Sequence, residues 1–259
     1  MIKIGPAGSG GLGNLKGSQR VARMKLDCME VEFTYGVRKS LDAAREVGAL
    51  AKEKGIILSV HAPYYVNLAS DENEKIVASK QRILDSCERA AALGAGNVVF
   101  HAGFYQKKTA KQTYKLIKKA ILEIQKKISR NKWKVQLCPE ITGKPSQFGS
   151  VEELLKLMKE TGCGICVDFA HLYAREQGNI DYGKVIKRLP KKFHAHFSGI
   201  EYGPKGERKH LKTTKKFFEP LAEALLKAKR DVTLICESPR PYKDAAMMKG
   251  VVTKSIGRM

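Results

Sequence analysis

The feature that most limits the fold of this chain is a regular alternation of two kinds of segment. Short segments rich in β-branched and apolar residues alternate with longer amphipathic segments of helical period, without a linker or low-complexity break. The predicted strands are residues 2–5, 29–33, 56–61, 97–101, 135–140, 164–168, 193–198 and 232–237. The predicted helices between them include residues 40–54, 73–93, 109–128, 151–159 and 215–229.

Eight β/α units within 259 residues have the size and rhythm of a TIM barrel. We therefore predict an α/β fold, a single-domain (β/α)8 TIM barrel over residues 1–259, with the active site at the C-terminal ends of the strands. A doubly wound sheet is the alternative architecture. Hydrophobic residues make up 43% of the chain, which excludes a disordered basic protein.

The predicted strands end in an unusual set of side chains. At or just beyond these ends lie Glu32, His61, His101, Glu140, Asp168, His171, His194, His196 and Glu237. The sixth histidine of the chain, His210, lies in the loop after the seventh strand. Imidazole and carboxylate together suit Zn²⁺ and, with more oxygen ligands, Mn²⁺. The set exceeds the needs of one ion and therefore predicts a polynuclear site, which suits phosphoryl displacement.

Two details of this set bear on how metals would share it. Glu140 is the only carboxylate that ends the fifth strand, so it is a natural bridging ligand. Asp168 and His171 are three residues apart where a strand gives way to a helix. That spacing allows the pair to face one pocket or to serve two neighbouring metals.

The charge of the chain predicts a polyanionic partner. Lys and Arg number 48 against 26 Asp and Glu, which gives a formal net charge of +22 and attracts phosphates or anionic membranes. No apolar run reaches the roughly 18 to 20 residues of a membrane helix, and the first residues lack the apolar core of a signal peptide. We expect an intracellular, cytoplasmic protein with no membrane partner and with its six cysteines reduced.

Six short segments occur in the order found in one known family. They are residues 59–64 (Ser-Val-His-Ala-Pro-Tyr), 100–103 (Phe-His-Ala-Gly), 139–144 (Pro-Glu-Ile-Thr-Gly-Lys), 166–171 (Cys-Val-Asp-Phe-Ala-His), 194–198 (His-Ala-His-Phe-Ser) and 236–238 (Cys-Glu-Ser). With them the chain resembles endonuclease IV, the zinc-dependent apurinic/apyrimidinic endonuclease among the xylose-isomerase-like TIM barrels. The resemblance extends from the second strand to the eighth.

The resemblance implies three zinc sites. His61, His101 and Glu140 would hold one zinc. A second would be held by Glu140, Asp168, His196 and Glu237, with Glu140 bridging. His171 and His210 would hold a third, but Arg208 stands where the family has an aspartate. Either Glu207 or water takes that place, or the third site is weakened or empty, so we expect two or three zinc ions per chain, with Mn²⁺ as the alternative metal.

The resemblance also implies residues that handle DNA. Arg38, in the loop after the second strand, and Tyr64 match residues that enter the duplex at the lesion. A guanidinium or an aromatic ring stacks against bases and offsets the cost of extruding a nucleotide. Lys144, Arg208 and Lys209 follow strands and are predicted to contact phosphates. The predicted partner is double-stranded DNA with an abasic site, and the protein is expected to be a monomer.

The predicted reaction is hydrolysis of the phosphodiester 5′ to an abasic site, leaving a 3′-hydroxyl and a 5′-deoxyribose phosphate, with Glu140 as the catalytic residue that positions the nucleophile. The alternative is a sugar isomerase or epimerase with one Mn²⁺ or Mg²⁺ on Glu140, Asp168, His196 and Glu237. The additional histidines and the charge of the chain favour the nuclease. A non-catalytic nucleic-acid-binding barrel would explain the charge but not the ligand sets.

Three further motifs carry weaker signals. Residues 8–13 fit the G-x-G-x-x-G pattern of dinucleotide sites, with Glu30 or Glu32 about 20 residues on, but we interpret them as a glycine-rich first β/α loop. Cys163 and Cys166 form a C-x-x-C pair without a second pair, so neither is given a role. His194 faces the same side of its strand as His196, and the resemblance selects His196 as the ligand.

Overall fold

The computed structural model describes residues 1–257. Its strands are β1 (Ile2–Pro6), β2 (Cys28–Glu32), β3 (Ile57–His61), β4 (Asn97–Phe100), β5 (Gln136–Pro139), β6 (Cys166–Asp168), β7 (Lys192–Phe197), β8 (Gly199–Gly203), β9 (Gly206–Leu211) and β10 (Asp231–Cys236). Its helices are α1 (Asn14–Arg23), α2 (Leu41–Glu53), α3 (Asn73–Leu93), α4 (Ala110–Arg130), α5 (Val151–Thr161), α6 (Phe169–Arg175), α7 (Tyr182–Arg188), α8 (Lys215–Lys227) and α9 (Pro241–Ile256).

Eight of the strands close into a barrel. They form two parallel sheets with the orders β1-β10-β7-β6 and β2-β3-β4-β5. Parallel bridges from Ala7 to Glu30 and from Glu140 to Cys166 join the two sheets on both sides. The predicted single-domain TIM barrel is therefore confirmed, and the doubly wound sheet is excluded.

The helices surround this barrel and bury their apolar faces against it. Local sequence signals fix where several of them begin, because polar side chains satisfy the free N–H groups of the first turn. Thr109 with Gln112 and Ser150 with Glu153 form capping boxes at the starts of α4 and α5. The core is one continuous cluster of buried apolar side chains that includes Val60, Phe100 and Phe197, with only a small satellite of three buried residues beside it.

The loop predicted after the seventh strand is in fact an antiparallel hairpin. Strands β8 and β9 pair from Gly199 opposite Leu211 to Gly203 opposite Gly206. His210 therefore lies in a strand, in a ribbon that folds over the barrel beside α6. The sequence did not predict this hairpin because its residues are mostly polar and lack an apolar alternation.

Among residues 1–257, every helix is too short or too polar to cross a membrane.

Candidate metal centre

All eight barrel strands are parallel, so their C-terminal ends open at one mouth. His61 and Asp168 are the last residues of β3 and β6, and Glu140 comes directly after β5. The other strand-end ligands follow the same rule: His101 comes just after β4, His196 lies near the end of β7 and Glu237 follows β10. The structure thus brings the side chains at these strand ends together at one face of the barrel.

Glu140 lies at the centre of the mouth. Its Oε2 atom is 3.1 Å from Nε2 of His61 and 2.9 Å from Nε2 of His101. Its Oε1 atom is 3.2 Å from Nδ1 of His196 and 3.3 Å from Nδ1 of His171. Burial raises the pKa of Glu140, but these imidazoles outweigh it and hold the pKa well below its usual range. One carboxylate thus faces ligand groups on two sides, as a bridging ligand must.

Four ligand atoms of Glu140, Asp168, His196 and Glu237 lie within 4.8 Å of one another. The same holds for His61, His101 and Glu140. These two groups coincide with the first two sets that the family resemblance implied. Both consist of nitrogen and carboxylate oxygen, the donors that suit Zn²⁺ or Mn²⁺.

The contacts of Asp168 show how Asp168 and His171, which are three residues apart, are arranged. Its Oδ1 accepts the backbone N–H of His171 at 2.7 Å and so caps α6. Its Oδ2 is buried and has no hydrogen-bond partner, although it lies 3.3 Å from Nδ1 of His171. A buried carboxylate oxygen without a donor is costly, and a cation removes that cost. Asp168 and His171 therefore face one pocket, and the free oxygen fits a metal there.

A third group lies under the hairpin. Asp168, His171, His210 and Glu237 offer ligand atoms within 4.8 Å of one another. The Nε2 atoms of His171 and His210 are 3.2 Å apart, and Nδ1 of His210 is 2.7 Å from the hydroxyl of Ser198. That hydroxyl contact orients the ring and leaves its other nitrogen aimed at His171.

In this chain Arg208 stands where the family has an aspartate. A β-bulge in the hairpin determines which neighbouring side chain points to the place of that aspartate. Glu201 pairs with Lys209 and Tyr202 with Glu207, so Arg208 is the extra residue of the bulge. Bulges redirect side chains. Arg208 is exposed, 3.6 Å from Glu201, while Oε2 of Glu207 lies 3.0 Å from Nε2 of His171.

Glu207 places a carboxylate beside His171 of the third group, although it is not one of the four residues whose ligand atoms lie within 4.8 Å of one another. Burial raises the pKa of Glu207, but the contact with His171 outweighs it and lowers the pKa to about 2. Its Oε2 atom is buried without an aligned donor. Gly143 leaves room for it, since a Cβ at Gly143 would lie 2.2 Å from that oxygen. Of the alternatives open at the sequence level, the geometry favours Glu207.

The residues expected to handle DNA surround the mouth. The Tyr64 side chain is 62% exposed and its ring centroid lies 6.4 Å from that of His61. Arg38 is exposed in the turn after β2. Nζ of Lys144 is 3.8 Å from Oε1 of Glu207. Nζ of Lys209 is 3.1 Å from Oε2 of Glu201, the same carboxylate that Arg208 contacts. Arg208 and Lys209 thus lie on the outer side of the hairpin, with their charges partly compensated.

The sequence left four residues near this centre without a site role: Glu30, Glu32, Ser59 and His194. Glu32 ends β2, and burial together with Glu30 raises its pKa to about 8. The alternation Glu-Val-Glu in a buried strand was the available signal, because two carboxylates on one face of a strand point into a barrel interior. All six cysteines are buried, and Cys166 lies with His194 and His196 in a further group of possible metal ligands.

Comparisons with known proteins extend the description of the fold. An uncharacterised protein of Methanocaldococcus jannaschii is 39% identical over 242 residues, 87% of each chain. A probable endonuclease 4 of Mycobacterium bovis is 27% identical over 203 residues, 75% of this chain and 77% of that one.

Solved structures of two kinds resemble the barrel to a similar degree. Endonuclease IV from Thermus thermophilus has a TM-score of 0.74 and 22% identity, covering 100% of this chain and 99% of that one. A D-tagatose 3-epimerase-like protein has a TM-score of 0.76 and 20% identity, covering 98% and 97%. Residues 18–251 match the family model described as xylose isomerase-like TIM barrel. The chain belongs to the xylose isomerase-like TIM barrel family.

Proposed function

We propose that this protein is a metal-dependent endonuclease that hydrolyses DNA on the 5′ side of an abasic site. The observation that carries the proposal is the nitrogen-rich ligand set around Glu140. His61 and His101 form a group on one side of it, and His171 with His210 forms a group on the other. Three adjacent ligand groups suit a phosphodiester, because several cations are needed to stabilise both the attacking and the leaving oxygen.

A sugar epimerase is the second candidate, since epimerases share this fold at a similar TM-score. Glu140, Asp168, His196 and Glu237 would suffice for its single metal. That reaction gives no use to His61, His101 and Glu207, which are arranged around the same pocket. A neutral sugar also gives no reason for a net charge of +22.

The residues of the chain would divide the work in the following way. Bound zinc ions would lower the pKa of a water molecule and neutralise charge on the phosphate. Glu140 would bridge two ligand groups at a fixed separation and so help to position the nucleophile. Asp168 and Glu237, both carboxylates of the second group, would hold a metal ion on the barrel side.

The mouth offers side chains that fit a damaged duplex. Tyr64 presents an exposed ring beside His61, and a ring of this kind stacks on the bases next to a missing one. Lys144 and Lys209 stand at the rim and would contact phosphates in a way that depends on salt. Arg38 would enter the duplex from the loop after β2, which lies beside the loop that carries Tyr64. The protein would act as a monomer.

The test is incubation of the zinc-loaded protein with a duplex that carries one tetrahydrofuran abasic analogue, beside an undamaged duplex. We expect one nick 5′ to the analogue, lost after zinc chelation and lost in Glu140→Gln. Glu160→Gln is the matched control, because Glu160 contacts Lys118 and Tyr114 on the outer helices. Absence of nicking by the zinc-loaded protein would refute the proposal, and turnover of a ketose would select the epimerase.

A second readout is the metal content. Metal analysis of the purified protein should give three ions per chain if Glu207 completes the third group and two if it does not. Glu207→Ala should then remove one ion and leave the other two. An unchanged content in Glu207→Ala would remove this residue from the proposed site.

A further inference from the structure

A buried polar cluster lies one layer below the mouth, inside the barrel. Its centre is Glu30 on β2, which is fully buried. Ser59 on the neighbouring strand donates its hydroxyl to Oε2 of Glu30 at 2.6 Å, and Nε2 of His194 lies 2.9 Å from the same oxygen. The other oxygen, Oε1, lies 2.8 Å from Nε2 of His196.

His196 therefore stands between two sets of carboxylates. On the barrel side, its Nε2 lies 2.8 Å from Oε1 of Glu30, and Cys166 and His194 are close neighbours of the ring. On the mouth side, its Nδ1 lies 3.2 Å from Oε1 of Glu140 and 3.2 Å from Oε1 of Glu237. The mouth side belongs to a candidate metal group, whereas the barrel side is closed and fully buried.

The two sides impose different states on the two ring nitrogens. Oε1 of Glu30 and Nε2 of His196 lie 2.8 Å apart, and both are buried without an aligned hydrogen-bond partner. An ionised carboxylate only accepts hydrogen bonds, so this contact favours a hydrogen on Nε2 of His196. In the neutral ring Nδ1 then carries the lone pair, and it points at the mouth.

The position of Glu30 is itself fixed. Glu30 is the direct partner of Ser59 in the β2–β3 register, and His194 and His196 project from the same face of β7. Each oxygen of the carboxylate thus has neighbours from a rigid strand. Side chains in a packed barrel interior are arranged in layers. The layer around Glu30 therefore restricts the orientation of the side chains at the mouth, which lie directly above it.

We propose that Glu30 is a positioning residue that holds His196 with Nδ1 toward the metal, supported by Ser59 and His194. Carboxylates behind a ligating histidine fix its tautomer and raise its basicity. The proposal rests on the metal centre of the proposed function, and it is independent of which reaction that centre catalyses.

The test measures metal affinity in the full-length protein by competition with a chromogenic chelator. Glu30→Gln keeps the size of the side chain but places an amide N–H near Nε2, which favours the wrong tautomer. We expect the affinity of one site to fall about 10- to 100-fold while the other sites are unchanged. Glu30→Asp should recover part of the loss, and Ser59→Ala should lose less because Glu30 stays charged.

Two further measurements separate positioning from mere folding. Visible absorption of the cobalt-substituted protein should change in Glu30→Gln, because the ligand field at His196 changes. In a His196→Gln background, Glu30→Gln should cause no further loss of metal affinity. Wild-type affinity and an unchanged cobalt spectrum in Glu30→Gln would overturn the proposal. Failure to nick abasic DNA would refute the nuclease and leave this result standing.

Discussion

Gly143 offers a sharp test of the third ligand group. This residue lies in the loop after β5, directly under Glu207 of the hairpin. A Cβ added at Gly143 would lie 2.2 Å from Oε2 of Glu207, 2.8 Å from its Cβ and 2.9 Å from its Cδ. Real Cβ atoms keep at least 3.0 Å from such neighbours, so Gly143→Ala must displace the carboxylate oxygen by about 0.8 Å.

That displacement is large for a metal site. Metal–ligand distances vary by only about 0.2 Å, and the close contact with Cβ of Glu207 means that rotation of the carboxylate alone does not relieve the clash. We therefore expect Gly143→Ala to lose one metal ion per chain. The cost in folding free energy should be about 1–3 kcal/mol, the range for inserting one methyl group into a packed site.

The assay is metal analysis after dialysis against a weak chelator, with thermal unfolding of the metal-free protein. Gly96→Ala is the matched control, because a Cβ at Gly96 would meet no atom within 4 Å. Glu207→Ala combined with Gly143→Ala should match Glu207→Ala alone in metal content, but it should unfold at a lower temperature, because the Cβ of residue 207 still lies 2.8 Å from the added Cβ. Full metal content with wild-type affinity in Gly143→Ala would refute the role of Glu207.

Four other outcomes follow from the structure. Burial raises the pKa of all six thiols, so a thiol reagent should label them only after unfolding, as followed by absorbance. Arg175→Ala removes a guanidinium that donates to carbonyls of the loop after β5, and should lower the free energy of unfolding by about 2 kcal/mol in urea titrations. Replacing Lys144 and Lys209 by Ala should reduce the slope of the logarithm of the DNA-binding constant against the logarithm of salt concentration by nearly 2. As the control, Lys115→Ala and Lys119→Ala on α4 should leave the rate of nicking at saturating DNA unchanged. Metal removal should weaken binding to the abasic duplex more than to the undamaged one, as measured by fluorescence anisotropy.

The sequence predicted the barrel because the signals are local and repeated. Each strand is a short apolar run, each long helix has a period of 3.6, and eight repeats in one domain leave few other architectures. The boundaries differ mainly by one residue at strand ends, as at His101 and Glu140, which follow their strands. Helices α6 and α7 have seven residues each, too few for a period to be seen.

Much of the candidate site could also be read from the sequence, for a geometric reason. Parallel strands end on one face, so residues at strand ends become neighbours whatever their separation along the chain. The place of Arg208 could not be read in this way. A regular strand would put Arg208 on the face of His210, and only the bulge between Glu201 and Tyr202 brings Glu207 inward.

The mouth is lined by carboxylates, whereas the chain as a whole is strongly basic. Five carboxylates converge there, those of Glu32, Glu140, Asp168, Glu207 and Glu237, with Glu30 one layer below, and histidines lie against several of them. A phosphodiester would be repelled by such a pocket, since the interaction of like charges grows as water is excluded. In the proposed nuclease, metal ions would reverse that sign, so that the positive surface would serve encounter with DNA while the choice of the scissile phosphate would depend on the loaded centre. The strong basicity of the chain would therefore be insufficient for the proposed function without the metals, and metal ions would add to the stabilisation that the histidines give the buried carboxylates.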